Sequence, residues 1–257
     1  MSEHPAYGVL RPVTATASVL LCDNPNIMTL DGTNTWVLRG HGSAEMVIVD
    51  PGPDDDEHIG RLAELGKIPL VLLSHKHEDH TGGIDTIVEL TGAVVRSVGS
   101  GFLRGLGGPL TDGEVIDAAG LRITVMATPG HTADSLSFLV DDAVLTADTV
   151  LGRGTTVIDD EDGSLTQYLD SLRRLHGLGR RTVLPGHGPD LDDLEAVTAL
   201  YLAHREERLE QVRQAVRALG DDATARQVVE HVYTDVDEKL WDAAEKSVRA
   251  QLDYLRS

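Results

Sequence analysis

Cysteine is nearly missing from this 257-residue chain. Cys22 stands alone, so no internal disulfide can form, and a reducing compartment such as the cytoplasm is the expected location. A packed or incidental thiol is expected there. Long apolar runs are missing too: none approaches the roughly 18–20 residues needed to cross a bilayer, so no membrane span is expected. The opening Met1-Ser2-Glu3-His4-Pro5 has no basic stretch leading into an apolar one, which speaks against a secretory signal. Positive charge is scarce, with 22 Lys and Arg against 42 Asp and Glu and a formal net charge of -20. Proteins that track nucleic-acid phosphates carry a basic stripe, because neutralising phosphates releases counterions. The deficit here argues against double-stranded DNA as a partner, and the acidic knots Asp54-Asp55-Asp56-Glu57 and Asp159-Asp160-Glu161-Asp162 reinforce it. Bound divalent ions would still focus positive charge at one place, so an anionic substrate stays open. No Gly-x-Ser-x-Gly elbow is present to carry a serine nucleophile. The glycine-rich residues 99–108 lack the Lys-Ser/Thr ending of a phosphate loop, leaving a mobile loop near the site as the expectation. No repeat recurs at a fixed period.

What is present is concentrated in Ser74-His75-Lys76-His77-Glu78-Asp79-His80-Thr81-Gly82-Gly83. It follows Ile68-Pro69-Leu70-Val71-Leu72-Leu73, a short bounded apolar run suited to a buried strand. Beyond it Ile84, Ile87, Val88 and Leu90 have helical spacing, which puts the histidines on a strand-to-helix loop, where open α/β sheets bind their ligands. In an extended backbone, side chains two apart point the same way, so His75 and His77 can grip one cation. Asp79 and His80 follow at the turn and face elsewhere, enough to serve a second. Imidazole and carboxylate without thiolate suit zinc, iron or nickel and disfavour soft metals.

The remainder alternates between strand-like and helix-like stretches. Val9-Leu10 and residues 17–21, 35–38 and 46–49 read as strands, and residues 55–65 as a helix. Short β-runs return at 94–98 and 121–126, followed by a hairpin around Asp141-Asp142. Residues 164–178 form an amphipathic helix through Leu165, Tyr168, Leu169, Leu172, Leu175 and Leu178. His176 on that helix stands apart from every ligand candidate and reads as structural. After Pro189 the pattern becomes helical: one long charged helix over 191–219, then helices at 224–233 and 240–255 separated by polar residues 234–238.

Three further motifs place one His or Asp directly after an apolar stretch: Thr128-Pro129-Gly130-His131, Leu145-Thr146-Ala147-Asp148 and Leu184-Pro185-Gly186-His187. With His75-Lys76-His77-Glu78-Asp79-His80 they appear in the order of the metallo-β-lactamase-fold hydrolases, and the chain resembles that family. The likeness is greatest to its lactamase-beta-2-like proteins, some of them single-strand-specific endoribonucleases, and it spans Gly32-Thr33-Asn34-Thr35 to the terminal helix. The resemblance implies a four-layer αββα sandwich over residues 1–190 and a small winged-helix-like helical unit over 191–257. It implies His75, His77 and His131 on a first metal, Asp79, His80 and His187 on a second, and Asp148 bridging both. Two zinc ions are implied, with Mn2+ or Fe2+ as alternatives. Asp50 resembles the family's aspartate that hydrogen-bonds the metal loop; a plain turn aspartate is the other reading. Arg153 is a candidate anion contact or a solvated arginine. His204-Arg205 resembles a family His-Arg pair that could face substrate; a solvated helix face is the alternative. The terminal unit has no evident basic recognition face, so packing on the catalytic domain and walling the cleft is its expected role.

Two metals sharing a water lower its pKa towards neutrality and supply a bridging hydroxide, with Asp79 able to orient it. The expected reaction is hydrolysis of a phosphodiester in single-stranded RNA, or of a small ester or thioester. The family likeness favours the first and the charge favours the second. A glyoxalase-II-like thioesterase is the runner-up, though no cationic clamp beyond Arg205 and Arg208 is apparent. A non-catalytic metal-binding protein is the rival from another class, and the intact ligand set speaks against it.

Overall fold

The computed structural model describes residues 6–159, 161–234 and 237–256. The opening Met1 to Pro5, Asp160 of the second acidic knot, and Asp235 and Val236 of the polar break lie outside the described residues. The first half of the chain builds one six-stranded sheet in sequential order. Strands β1 (Arg11–Pro12), β2 (Ala17–Leu21), β3 (Asn34–Leu38) and β4 (Glu45–Val49) pair antiparallel. Helix α1 (Asp56–Glu64) starts where the Asp55 carboxylate accepts the His58 amide, then carries the chain across to β5 (Lys67–Leu72), parallel to β4. The single turn α2 (Glu78–Thr81) and α3 (Ile84–Thr91) lead to β6 (Val94–Arg96), parallel to β5.

The second half repeats the plan in a five-stranded sheet. Strands β7 (Val115–Ala118), β8 (Leu121–Ala127), β9 (Leu136–Val140) and β10 (Ala143–Ala147) form an antiparallel meander. Helix α4 (Leu165–His176), capped by Ser164, crosses to β11 (Thr182–Pro185), parallel to β10. The long helix α5 (Leu194–Leu219), then α6 (Ala225–Val232) and α7 (Trp241–Arg256), complete the chain.

Three cores separate four layers. Trp36, Leu38, Val47 and Leu72 meet Ile123, Val125, Phe138 and Leu145 between the sheets. Ile59, Leu62, Ile84 and Ile87 cover the outer face of the first sheet. Leu165, Tyr168, Leu169, Leu172 and Leu175 cover the second, joined by Leu194, Tyr201 and Leu209 of α5. Burying each such side chain contributes about 1.5–3 kcal/mol. A fourth cluster joins the far end of α5 (Val212, Ala215) to Val228 and Val229 of α6 and Val248 and Leu252 of α7. The αββα sandwich with a C-terminal helical unit is the fold the motifs implied. No helix of the described residues is long and apolar enough to cross a membrane.

Some local expectations shift. Val9 and Leu10 are exposed, and the first strand is Arg11–Pro12, paired with Ser18 and Val19. The long helix starts at Leu194, not 191, because Leu191 pairs with Val183 and Asp193 caps the helix by accepting from the Ala196 amide. Residues 99–108 do not overhang the site. They fold back along the sheet edge, where Arg104 and Val95 exchange both backbone hydrogen bonds.

Candidate metal centre

All seven candidate ligands lie just beyond the carboxyl ends of β5, β8, β10 and β11, at one edge of the sandwich. Beyond β5 the chain bends at residues 74–76, His77 starts α2, and His80 rides on that turn. The bend means that the strand does not run on through His75, although His77 keeps an extended backbone, and the pair meets through unlike nitrogens. His75 Nε2 lies 3.0 Å from His77 Nδ1, and His131 Nε2 lies 3.0 Å from the same atom. His131 follows the turn at Gly130, where φ is +139° and a Cβ would lie 2.3 Å from the Tyr168 Cα. Only glycine lets α4 approach there. Asp148 follows a register shift in β10, the kind of bulge that redirects a side chain.

The second group is equally close. His80 Nε2 and His187 Nε2 are 3.2 Å apart, and Asp79 Oδ2 is 3.2 Å from His187 Nε2. Asp148 sits between the groups: Oδ1 is 3.5 Å from His80 Nε2, while Oδ2 is 3.4 Å from His187 Nε2 and 3.8 Å from His131 Nε2. Next to it, a Cβ on Gly186 would lie 2.4 Å from Asp148 Oδ1, so this position must be bare.

The outer ring nitrogens fix the tautomers. His131 Nδ1 donates to the Val157 carbonyl at 2.6 Å and His187 Nδ1 to the Gly32 carbonyl at 3.0 Å. His80 Nδ1 donates to Asp50 Oδ2 at 3.0 Å. The Ser74 hydroxyl gives its proton to Asp50 Oδ2 at 2.6 Å, so its oxygen accepts from His75 Nδ1 at 2.8 Å. In the neutral rings four Nε2 lone pairs therefore point inward. The His80 and His187 lone pairs, 3.2 Å apart with both protons committed to Nδ1, repel. A metal ion would relieve this: Asp79, His80 and His187 could hold one, and His75, His77 and His131 another. Among the described residues Asp148 Oδ1 is buried without a hydrogen-bond partner, and a metal ion would satisfy it. The residues present fit a pair of metal ions.

Electrostatics point the same way. Burial, reinforced by His80, holds His75 well below the usual imidazole range, and burial with His131 lowers His77. Burial also opposes charge on His80, yet Asp79, Asp148 and Asp50 outweigh it and push the ring up to about 9. His187 is raised in the same way, against burial, by Asp148 and Asp79. Asp148 stays far below the carboxylate range despite burial because His187 and His80 face it. This pocket attracts positive charge.

Asp50 takes up the position expected of a supporting aspartate. It is buried at φ +55° and accepts from the Ser74 amide (2.7 Å), the Ser74 hydroxyl and His80. Supports not singled out from the sequence lie around His187. Asn34 Nδ2 donates to the Pro185 and Gly188 carbonyls at 3.0 and 2.8 Å, and Trp36 Nε1 to the Pro185 carbonyl at 3.0 Å. In the sequence Gly32-Thr33-Asn34 marked only where the family likeness begins, with no role given to Asn34. Lys76 Nζ is caged by Asp159, Glu161 and Asp162 at 3.0–3.2 Å, which raises it above the usual lysine range although burial opposes this.

The three weaker candidates are not brought to the ligands as free contacts. Both Arg153 guanidinium nitrogens pair with Asp31. Arg205 is buried, bonded to the Thr156 carbonyl and stacked on Tyr168, its Cζ 4.9 Å from the ring centroid. His204 is half-buried, its pKa lowered by burial and by Arg205 and Arg208. His176 bonds the Glu195 carbonyl and Thr198 at 3.1 and 3.2 Å, as a structural histidine would.

A cavity of about 590 Å³ opens over His77, Asp79, His131, Asp148 and His187. Met28, Thr29 and Pro53 line it on one side and Asp54 and Glu78 at the rim. A smaller space continuous with it through Met28, His131 and Asp148 is lined by Ile27, Leu30, Leu151, Arg153 and Val157. Among the described residues, none beyond 190 lines either space, so the terminal unit does not wall the cleft.

Comparison with known proteins agrees with this geometry. The family described as "Metallo-beta-lactamase superfamily" matches residues 28–187, and "Beta-lactamase associated winged helix domain" matches residues 224–257. A Beta-lactamase-like protein 2 homolog of Drosophila melanogaster is 31% identical over 96% of this chain and 89% of its own. An atrochrysone carboxyl ACP thioesterase of Aspergillus fumigatus is 32% identical, over 83% of this chain and 72% of its own. A Beta-lactamase domain protein from Burkholderia ambifaria has the same fold, with TM-score 0.83 and 21% identity over 99% of this chain and 89% of that one. The chain therefore belongs to the metallo-β-lactamase superfamily, whose members are generally metal-dependent hydrolases with a dinuclear site.

Proposed function

We propose that this protein is a dinuclear zinc hydrolase of esters or thioesters with an apolar acyl part. The observation that carries the reading is the convergence of two ligand groups, His75/His77/His131 and Asp79/His80/His187, with the Asp148 carboxylate facing both. Imidazole and carboxylate ligands without thiolate suit zinc. Two bound cations would polarise the scissile carbonyl and lower the pKa of water towards neutrality.

The chain's own groups do the rest. Asp50, Gly32 and Val157 hold His80, His187 and His131 in the tautomer that leaves Nε2 free. Asp79 is more open to the cavity than Asp148, its side chain 28% exposed against 12%. Its pKa is lowered because His80 and His187 outweigh burial, so it stays ionised to orient an attacking water. Ile27, Met28, Leu30 and Leu151 offer apolar surface beside the ligands, while Asp54 and Glu78 at the rim would repel a polyphosphate backbone. Among the described residues the one arginine lining the cavity, Arg153, is paired with Asp31. These contacts favour an acyl substrate over single-stranded RNA. In this reading residues 1–190 are the catalytic domain and 191–257 the appended helical unit.

The test sets zinc-loaded wild type and Asp79→Ala against acyl thioesters of increasing chain length and, in parallel, labelled single-stranded RNA. Thioester turnover by the wild type alone, with intact RNA, is expected. RNA cutting by the wild type alone would replace the substrate assignment, and equal activity in both proteins would remove the site.

A further inference from the structure

Asp148 opens a stretch, residues 148–159, that contains no helix or strand yet touches the metal centre at three places. It carries Asp148 itself; it holds His131, whose Nδ1 proton the Val157 carbonyl takes at 2.6 Å and whose carbonyl the Asp159 amide bonds at 2.9 Å; and its Gly152 amide donates to the His187 carbonyl at 2.9 Å. An irregular segment can hold ligands in register only if its own peptide groups are held. Helix side chains do this. Tyr168 of α4 donates its hydroxyl to the Thr149 carbonyl at 2.7 Å. On α5, Tyr201 accepts the Leu151 amide at 3.0 Å, and Arg205, four residues on and so on the same helix face, donates to the Thr156 carbonyl.

Arg205 is hard to explain by packing alone. Its guanidinium is always charged, it is 3% exposed, and among the described residues no carboxylate pairs with it. Its Nε has no hydrogen-bond partner. The Tyr168 ring face and the Thr156 carbonyl offset only part of the cost of burying a charge without a counter-ion, so an apolar side chain of similar length would serve a merely structural role as well. What the arginine provides is direction. It fixes the peptide between Thr156 and Val157, and both residues pass the constraint on. The Thr156 hydroxyl donates to the Asp148 carbonyl at 2.7 Å, and the next carbonyl orients His131.

We propose that Arg205 is a positioning residue of the metal centre, acting from α5 through Thr156 and Val157 on Asp148 and His131. The inference rests on the dinuclear reading above. It replaces substrate contact as the role of Arg205. It also accounts for the length of the helix shared with the C-terminal unit, since α5 packs α6 and α7 at one end and braces the Asp148 loop at the other.

The experiment titrates metal-free wild type, Arg205→Met and Arg205→Lys with cobalt(II) against a competing chelator, following the visible ligand-field bands, with thermal melts alongside. Arg205→Met should bind cobalt about tenfold more weakly, at the low end of what outer-shell losses cost, with a shifted spectrum. Arg205→Lys, which keeps charge and a donor, should recover most of the difference. A folded Arg205→Met with wild-type affinity and spectrum overturns the proposal, whether its melting temperature falls or only KM rises. If Arg205→Met does not fold, Thr156→Val removes the hydroxyl on Asp148 with Arg205 in place, and unchanged cobalt binding there overturns it equally. Wild type that binds no cobalt would remove the dinuclear reading itself, an outcome distinct from all of these.

Discussion

His80 and His187 face each other through Nε2 atoms 3.2 Å apart, while their Nδ1 protons are committed to Asp50 and the Gly32 carbonyl. Without a metal, the neutral pair sets lone pair against lone pair, or the rings must take up protons beside Asp79 and Asp148. A metal ion relieves both, so binding should stabilise the folded chain. At a free metal concentration of about 1,000 times Kd the gain is about 4 kcal/mol, or roughly 10 °C in melting temperature for a chain of this size. Calorimetric melts before and after chelation check this. Coincident melts would mean that the cluster binds no metal.

Asp50 concentrates three donors on one carboxylate: the Ser74 amide, the Ser74 hydroxyl and His80 Nδ1. Asp50→Asn keeps the shape but turns one acceptor oxygen into a donor, so at least one of the three must lose its partner. Because Ser74 also bonds His75, both ligand groups loosen. Zinc affinity should fall about 10–100-fold, the usual effect of losing an outer partner of a ligand. Zinc per chain after gel filtration, with far-UV circular dichroism to show the fold intact, is the measurement. Full zinc retention would reduce Asp50 to a turn residue.

The candidate cluster was legible because each of its four motifs follows an apolar strand, and β-strand ends in this architecture converge on one edge. The strand Lys67–Leu72 and the helix Leu165–His176 were legible from burial patterns that run through neighbouring residues. What was not legible depends on partners far along the chain. Arg153 looked like a free cation until Asp31, 122 positions away, was seen against it. Arg205 looked like a surface base on a charged helix, but α5 buries it against Thr156, 49 positions away. The Asn34 clamp on the Pro185–Gly188 turn spans more than 150 residues, and nothing next to Asn34 in the sequence announces it. Local pattern identifies groups by their chemistry. Their employment is set by non-local contacts.

His58 gives a pH dependence outside the metal cluster. It is 4% exposed, its Nε2 lies 2.8 Å from the Thr35 hydroxyl, and burial, aided by Arg61 against the pull of Asp55, lowers it from 6.5 to about 4. Between these values the unfolded chain binds a proton that the folded chain refuses. Stability from this group is therefore complete above pH 6.5 and is lost as pH falls towards 4. At pH 5 the loss relative to pH 7 is roughly 2 kcal/mol. His58→Gln removes the group, so its unfolding free energy should fall less between pH 7 and pH 5, by roughly that amount. Urea unfolding of both proteins at the two pH values tests the difference, and equal pH slopes would place His58 in contact with water in the folded state.

Met28 lies where the two parts of the cavity meet, and with Ile27 it is about half exposed, 48% and 56% respectively. The loop presenting them is internally tied: Asn26 Oδ1 accepts the Met28 and Thr29 amides at 2.7 and 3.1 Å, and the Thr29 hydroxyl donates to the Asn24 carbonyl at 2.6 Å. A rigid loop holding two apolar side chains open next to the ligands is suited to an apolar acyl arm, each buried methylene contributing about 0.8 kcal/mol. Met28→Asp removes that surface and adds a charge near Asp54 and Glu78, without disturbing a buried contact or a ligand. The expected outcome is a KM about tenfold higher for a long-chain acyl thioester, little change for the acetyl thioester, and unchanged zinc content. Since the ligands are untouched, kcat at saturation should stay close to wild type. The informative quantity is kcat/KM for long over short chains, which should collapse in the variant. A ratio equal to wild type would show that the acyl arm lies elsewhere, and an increase in RNA cutting would contradict the repulsion assigned to the acidic rim.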